Sequence, residues 1–309
     1  MRFSNLMHFA TYLVVRLLIC VVQSLRIETC EALTRNLAWL FADVLRLRGR
    51  VVDENLRHAF PGMSPSARRV LARRMWEHLF LFVVEIAYAP RKIHETNWRD
   101  FVELTNVPQL VRLLLDERPL MIISAHFGNF ELGGYVLGLL GFHTQSVARD
   151  LDNPYLHAFV NRFRGVTGQR IISKKGGYDE IVDALSSGKT MALLADQYAG
   201  RKGCWVEFFS RPASAYKAIA LLALNHDARL AVAYCRRLGR PLKYEFIMQS
   251  ELDPRDVADD PHAIRTVTQW YTTELERAIR GAPEQYWWVH RRWKDNRRPR
   301  RKTQTAKAA

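Results

Sequence analysis

The chain has 309 residues, 48% of them hydrophobic, enough to bury one sizeable core with a small N-terminal helical annex and too apolar for a disordered polypeptide. A formal net charge of +15 gives it a surface that attracts polyanions, whether nucleic acid, anionic lipid headgroups or an acidic carrier protein. Cys20, Cys30, Cys204 and Cys235 contain no Cys-x-x-Cys pair, which argues against a zinc site and a secreted disulfide framework and for a reducing compartment.

Residues 7–25, MHFATYLVVRLLICVVQSL, are mostly apolar, with Arg16 near the centre. On a helical wheel His8, Tyr12, Arg16 and Gln23 share roughly one quadrant, so the helix carries a narrow polar stripe. An arginine at mid-span costs roughly 2.5 to 3.5 kcal/mol, offset if the stripe faces protein or the side chain snorkels. No small-residue cleavage site follows, so 1–27 reads as an uncleaved membrane anchor, with a buried helix of a soluble bundle as the alternative. Residues 28–100 have a helical pattern, with helices at 32–47 and 64–88. Ser64 is the N-cap of the second and Pro65 its first residue. These helices form a platform against the core or the membrane.

After residue 100, runs of strand length alternate with helical stretches. Strands are expected at 120–124, 145–148, 170–173, 191–195, 230–235 and 242–248, and helices at 129–140, 153–166 and 178–186. The alternation implies an α/β fold with a mostly parallel central sheet flanked by helices, spanning 28–290. Sites in such sheets form at the carboxyl ends of strands. His126, Arg149 and Asp196 each stand just past such an end.

The run His126-Phe127-Gly128-Asn129-Phe130-Glu131 holds a histidine and a carboxylate at a strand-to-helix turn, the minimum for taking a proton from a hydroxyl. On one continuous helix the two would diverge by roughly 140°. Gly128 permits a turn between them, Asn129 caps the helix that follows, and Glu131 enters its first turn, where the dipole favours a carboxylate. The same spacing fits a strand-end histidine beside an ordinary first-turn acid. At the other end 291–309 opens with RRWKDNRRPRRK, a basic tail that reads best as a second membrane contact, each cation contributing about 1 kcal/mol near an anionic surface.

HFGNFE matches the His-x4-Asp/Glu signature of the lysophospholipid-acyltransferase-like superfamily. Four further segments resemble its lipid A biosynthesis (lauroyl or myristoyl) acyltransferases: ENLRHAFPGMS at 54–64, NPYLHAFVNRFRGVTGQRII at 153–172, LLADQYAGRKGCWVEFFSRPAS at 193–214 and PEQYWWVHRRWK at 283–294. Together the blocks cover most of the chain in order. The resemblance implies acyl transfer from acyl carrier protein, or from acyl-CoA, to a hydroxyl of a glycolipid acceptor at the cytoplasmic face of the inner membrane. No metal, no cofactor beyond the donor and no acyl-enzyme are implied. His126 would be the general base and Glu131 its orienting partner. Arg164 would bind a substrate phosphate, and Asp196 would position a polar group near the thioester or cap its own turn. Arg149, Lys174 and Lys175 either meet phosphates or are solvated. Phe208, Phe209 and Tyr216 line an acyl channel or belong to the core, and Trp287 and Trp288 sit at the membrane interface or inside. Ala148-Arg149-Asp150 stands where many members have a Tyr-Arg-Pro-like run, which leaves the acceptor sugar open. The positive charge also suits nucleic acid, but no helix-turn-helix, RNA-recognition motif or finger spacing is present, so no nucleic-acid partner is expected.

Overall fold

The computed structural model describes residues 3–294. Helix α1 (Phe3–Ser24) is 22 residues, or about 33 Å, long enough and apolar enough to cross a membrane. Its polar stripe faces protein. The Asn153 side chain donates to the His8 carbonyl (2.8 Å), Gln23 donates to the Ala87 carbonyl (2.6 Å), and Arg16 donates to the Tyr12 hydroxyl (3.0 Å) while lying over the Phe159 ring. Leu6, Leu13, Val14, Leu17 and Leu18 are left exposed on the remaining surface.

The helix expected at 32–47 is two elements, α2 (Ile27–Trp39) and a π-helical turn (Leu40–Val44). The wider turn buries Asp43, whose carboxylate takes Arg69 Nε at 2.5 Å and Arg73 Nε at 2.7 Å. Those arginines belong to α4 (Pro65–Lys92), capped as expected by Ser64 Oγ, which accepts from the Ala67 amide. Between them lies α3 (Gly49–Ala59), reached through Arg46 and Arg48, both at positive φ.

A seven-stranded sheet follows. Its strands are β1 (Val102–Thr105), β2 (Leu120–Ser124), β3 (Thr144–Ala148), β4 (Arg170–Ser173), β5 (Thr190–Leu194), β8 (Arg229–Arg237) and β9 (Tyr244–Leu252), in the order β1-β9-β8-β2-β5-β3-β4. From β8 to β4 all neighbours are parallel; β9 runs against β8 and carries β1 parallel to itself. All six expected strands are present. The short-period alternation of β2 divides the core: Met121 and Ile123 pack with residues of α3, α4 and α10 (Ala263–Gly281), whereas Leu120 and Ile122 pack with those of α5 (Val107–Leu114) and α6 (Phe130–Leu139). The remaining helices are α7 (Pro154–Gly165), α8 (Tyr178–Ser186) and α9 (Lys217–Asn225).

The hairpin of β6 (Cys204–Phe208) and β7 (Arg211–Ala215) has no counterpart among the expected elements. Its two-residue loop is Phe209-Ser210, both at positive φ, the conformation that Asn-Gly normally announces. Burial holds the unusual loop in place: Phe208 and Phe209 sink against Trp288 and Trp293, and Glu276 accepts from the Phe209 amide. Both phenylalanines are therefore core residues and not the walls of an acyl channel. Trp288, for which the sequence left open a membrane interface or the interior, is also core. Arg292, at the start of the expected basic tail, is 2% exposed and donates to the Ser214 carbonyl (2.6 Å). Residues 295–309 of that tail lie outside the described residues.

Candidate active site

Strands β2 and β5 are adjacent and parallel, with Ser124 opposite Leu194. His126 and Asp196 each lie two residues beyond a strand end, so the pairing brings them to the same rim. Asp196 Oδ1 accepts from both the His126 backbone amide (3.0 Å) and the imidazole Nδ1 (2.9 Å). The Asp196 side chain is wholly buried. Burial opposes its charge, but the charge and hydrogen bonds of His126 prevail and hold the carboxyl at about 2. An ionised carboxylate only accepts, so Nδ1 carries the proton and Nε2 presents its lone pair, 3.5 Å from the Gln197 side-chain amide. Burial depresses the imidazole pKa, yet the Asp196 charge and hydrogen bond and then the Glu131 charge outweigh it, leaving His126 above its ordinary value.

The expected orienting partner was Glu131. Its carboxylate instead faces Arg164, near the end of α7, which grips it through two nitrogens, Nε at 2.9 Å from Oε2 and the other on Oε1. Asp196 takes the orienting position, and Glu131 acts on the imidazole through charge alone. Arg164 is thereby committed to a protein carboxylate. Arg149 is at the cleft rim, largely exposed and paired with Asp152 at 2.9 Å; Lys174 lies over the Tyr216 ring, and Lys175 is exposed.

The turn that carries His126 is tied at every amide. His126 N bonds Asp196, Phe127 N bonds the Ala125 carbonyl, Gly128 N that of Gln285 and Asn129 N that of Cys235; the His126 carbonyl accepts from Trp287 N. Gly128 has φ +59°, and a Cβ there would lie 2.0 Å from the Cys235 oxygen, so only glycine fits. Asn129 caps α6 through the Leu132 amide, as expected. Beneath the turn Glu85 and Arg237 form a buried bidentate pair, both contacts at 2.6 Å. Arg237 also donates to His78 Nδ1 (2.9 Å), and His78 Nε2 donates to the Gly128 carbonyl (3.2 Å). Burial and the Arg237 charge hold His78 well below its usual pKa, so it stays neutral with its proton on Nε2. Glu85 accepts further bonds from the Asn129 side chain and the Leu242 amide.

His126 opens into a cleft of about 880 Å³ walled by Phe82, Phe130, Phe159, Leu193 and Trp287, with Ile19 and Cys20 of α1 on one side. Such a mostly apolar volume accepts a long hydrocarbon chain. Among the described residues no group of His, Cys, Asp or Glu has metal-holding geometry. Sequence reasoning missed Gln197, Trp287 as a cleft wall, and the His78–Glu85–Arg237 support. Its one available signal was Glu85 itself, an acid in the apolar stretch FLFVVEIAYA.

The fold and site define an α/β enzyme with a histidine–carboxylate pair at the mouth of an apolar cleft. The family model for bacterial lipid A biosynthesis acyltransferases matches residues 1–295, and the chain belongs to that family. It is an acyltransferase. It is 26% identical over 256 residues to the lipid A biosynthesis palmitoleoyltransferase of Escherichia coli (strain K12), covering 81% of this chain and 80% of that one. To the lauroyltransferase of the same organism it is 25% identical over 260 residues, with the same coverage. Among solved structures the 1-acyl-sn-glycerophosphate acyltransferase of Thermotoga maritima aligns with a TM-score of 0.41 at 11% identity, covering 88% of this chain and all of that one.

Proposed function

We propose that the protein transfers a fatty acyl chain from the thioester of acyl carrier protein, or of coenzyme A, to a hydroxyl of a lipid A precursor or related glycolipid. The observation that carries this reading is the bond from His126 Nδ1 to the buried Asp196, which turns the Nε2 lone pair toward the Gln197 amide at the mouth of an apolar cleft. His126 Nε2 takes the hydroxyl proton as the oxygen attacks the thioester carbon. The tetrahedral oxyanion collapses, the carbon–sulfur bond breaks, and the imidazolium returns its proton to the departing thiolate. Asp196 and Glu131 stabilise that imidazolium, and Arg164 holds Glu131 in position. The Gln197 amide and the Trp287 indole N–H, which has no hydrogen-bond partner among the described residues, are donors available to the oxyanion. The protein-facing stripe and exposed apolar surface of α1 support attachment to the cytoplasmic face of the inner membrane, and the +15 charge suits an acidic carrier.

The test is transfer by the purified protein in detergent, with a labelled acyl-carrier-protein or CoA donor and a lipid A precursor, read as added acyl mass on the glycolipid. Release of free fatty acid with no lipid hydroxyl outcompeting water would make it a hydrolase. The pH profile gives a second check. Transfer needs neutral His126, whose pKa is raised, so kcat/KM declines as pH falls through a value above about 6.5. Asp196→Asn removes the charge that raises it, so the acidic limb moves to lower pH under a reduced plateau. A limb that stays in place assigns the titration to another group.

A further inference from the structure

Gln197 also lines a second pocket of about 740 Å³. Arg46, Arg48, Arg50, Arg291 and Lys294 line it, and no acid does. Among the described residues none of these five cations is in an ion pair; Arg48 donates to the Val289 carbonyl and Lys294 lies over the Tyr198 ring. Gly49, Arg50 and Val51, the first turn of α3, also face it. That helix begins without a side-chain cap and without an acidic first-turn residue, so its positive end adds to the arginines.

The pocket adjoins the catalytic centre. Gln197 borders both cavities, and the His290 ring, whose Nε2 is buried without a hydrogen-bond partner among the described residues, lies 5.0 Å from the His126 ring. Guanidinium groups around a cavity, without an ion pair among the described residues, select an anion with several acceptor oxygens, a phosphate above all. The neighbouring surface says where the occupant comes from. Val44, Leu45 and Leu47 alternate with the arginines and are about half exposed, a mixture of apolar and cationic groups suited to lipid at headgroup depth. The apolar cleft, bordered by α1, suits the acyl chain.

We infer that the basic pocket holds the anionic, phosphate-bearing sugar head of the glycolipid acceptor, bringing its hydroxyl to His126 while the donor's acyl chain fills the apolar cleft. This assignment rests on the acyl-transfer reading. Arg46, Arg50 and Arg291 are exposed and can be changed without disturbing the core. The experiment compares wild type with Arg46→Gln/Arg50→Gln/Arg291→Gln for binding, in detergent micelles, of a phosphorylated lipid A precursor and of its phosphatase-treated form, together with KM for acceptor and donor. Wild type should prefer the phosphorylated lipid by about tenfold or more. The triple variant should lose that preference and show a matching rise in acceptor KM, with donor KM unchanged. A rise in donor KM alone would give the pocket to the donor's phosphates and overturn the inference. So would equal weakening for both lipids, which marks a general membrane contact, or no change at all. Selective binding by a wild type that transfers nothing would retain the pocket and sink the acyl-transfer reading; transfer unaffected by the triple change would do the reverse.

Discussion

His126→Ala lowers acyl transfer by about 10²- to 10⁴-fold, the range expected when a positioned general base is removed, while the protein still folds. The side chain is 15% exposed and its imidazole bonds chiefly to Asp196, so truncation leaves the turn's backbone bonds to Gln285, Cys235 and Trp287 in place. The loss should therefore fall on kcat with little change in the melting temperature. Labelled-thioester transfer measured beside a circular-dichroism melt checks both halves. Activity within tenfold of wild type would place the base elsewhere. A collapsed melt would show that the Asp196–His126 bond supports the fold, and the activity comparison would then pass to His126→Gln.

Glu85→Ala has the largest expected effect on stability. It leaves the Arg237 guanidinium, 9% exposed as a residue, without its carboxylate, and deprives the Leu242 amide and the Asn129 side chain of an acceptor. Breaking a buried pair from one side costs about 3 to 5 kcal/mol, a fall in melting temperature on the order of 10 °C for a chain of this size. Glu85→Met/Arg237→Met should be less damaging to stability than Glu85→Ala alone, because neither partner is left charged and unpaired. Transfer should remain impaired in the double variant, since His78 loses the donor that holds its Nδ1 and with it the grip on the Gly128 carbonyl. A double variant with wild-type kcat would make the network purely structural. A single variant as stable as wild type would mean that water replaces the carboxylate.

Much of this was legible because it is local. Ser64 and Asn129 are caps wherever a helix follows them, and each accepts the amide bond its position requires. The six expected strands are runs of strand length that alternate with helical stretches. The polar stripe of α1 follows from helical geometry, although only the packed structure shows which neighbours it meets. The hairpin was hidden because Phe209-Ser210 is a poor sequence for its turn, and burial of the ring overrides local preference. The break at Leu40–Val44 was hidden because a buried Asp43 is worth accommodating only when Arg69 and Arg73 are already beside it.

By itself the sequence determined that His126 stands at a strand end in a strand-to-helix turn, with Glu131 in the first turn of the helix beyond. Tertiary structure alone decided which carboxylate serves the imidazole. Spacing of five positions makes Glu131 and His126 neighbours in the chain, but a hydrogen bond depends on distance and direction. The pairing of β2 with β5 brings Asp196 across 70 residues to 2.9 Å from Nδ1, while α7 presents Arg164 to Glu131. The buried Glu85–Arg237 support and the basic pocket beside Gln197 come from the same cause. Charges far apart in the chain acquire a shared electrostatic role only where strand order and helix packing place them together.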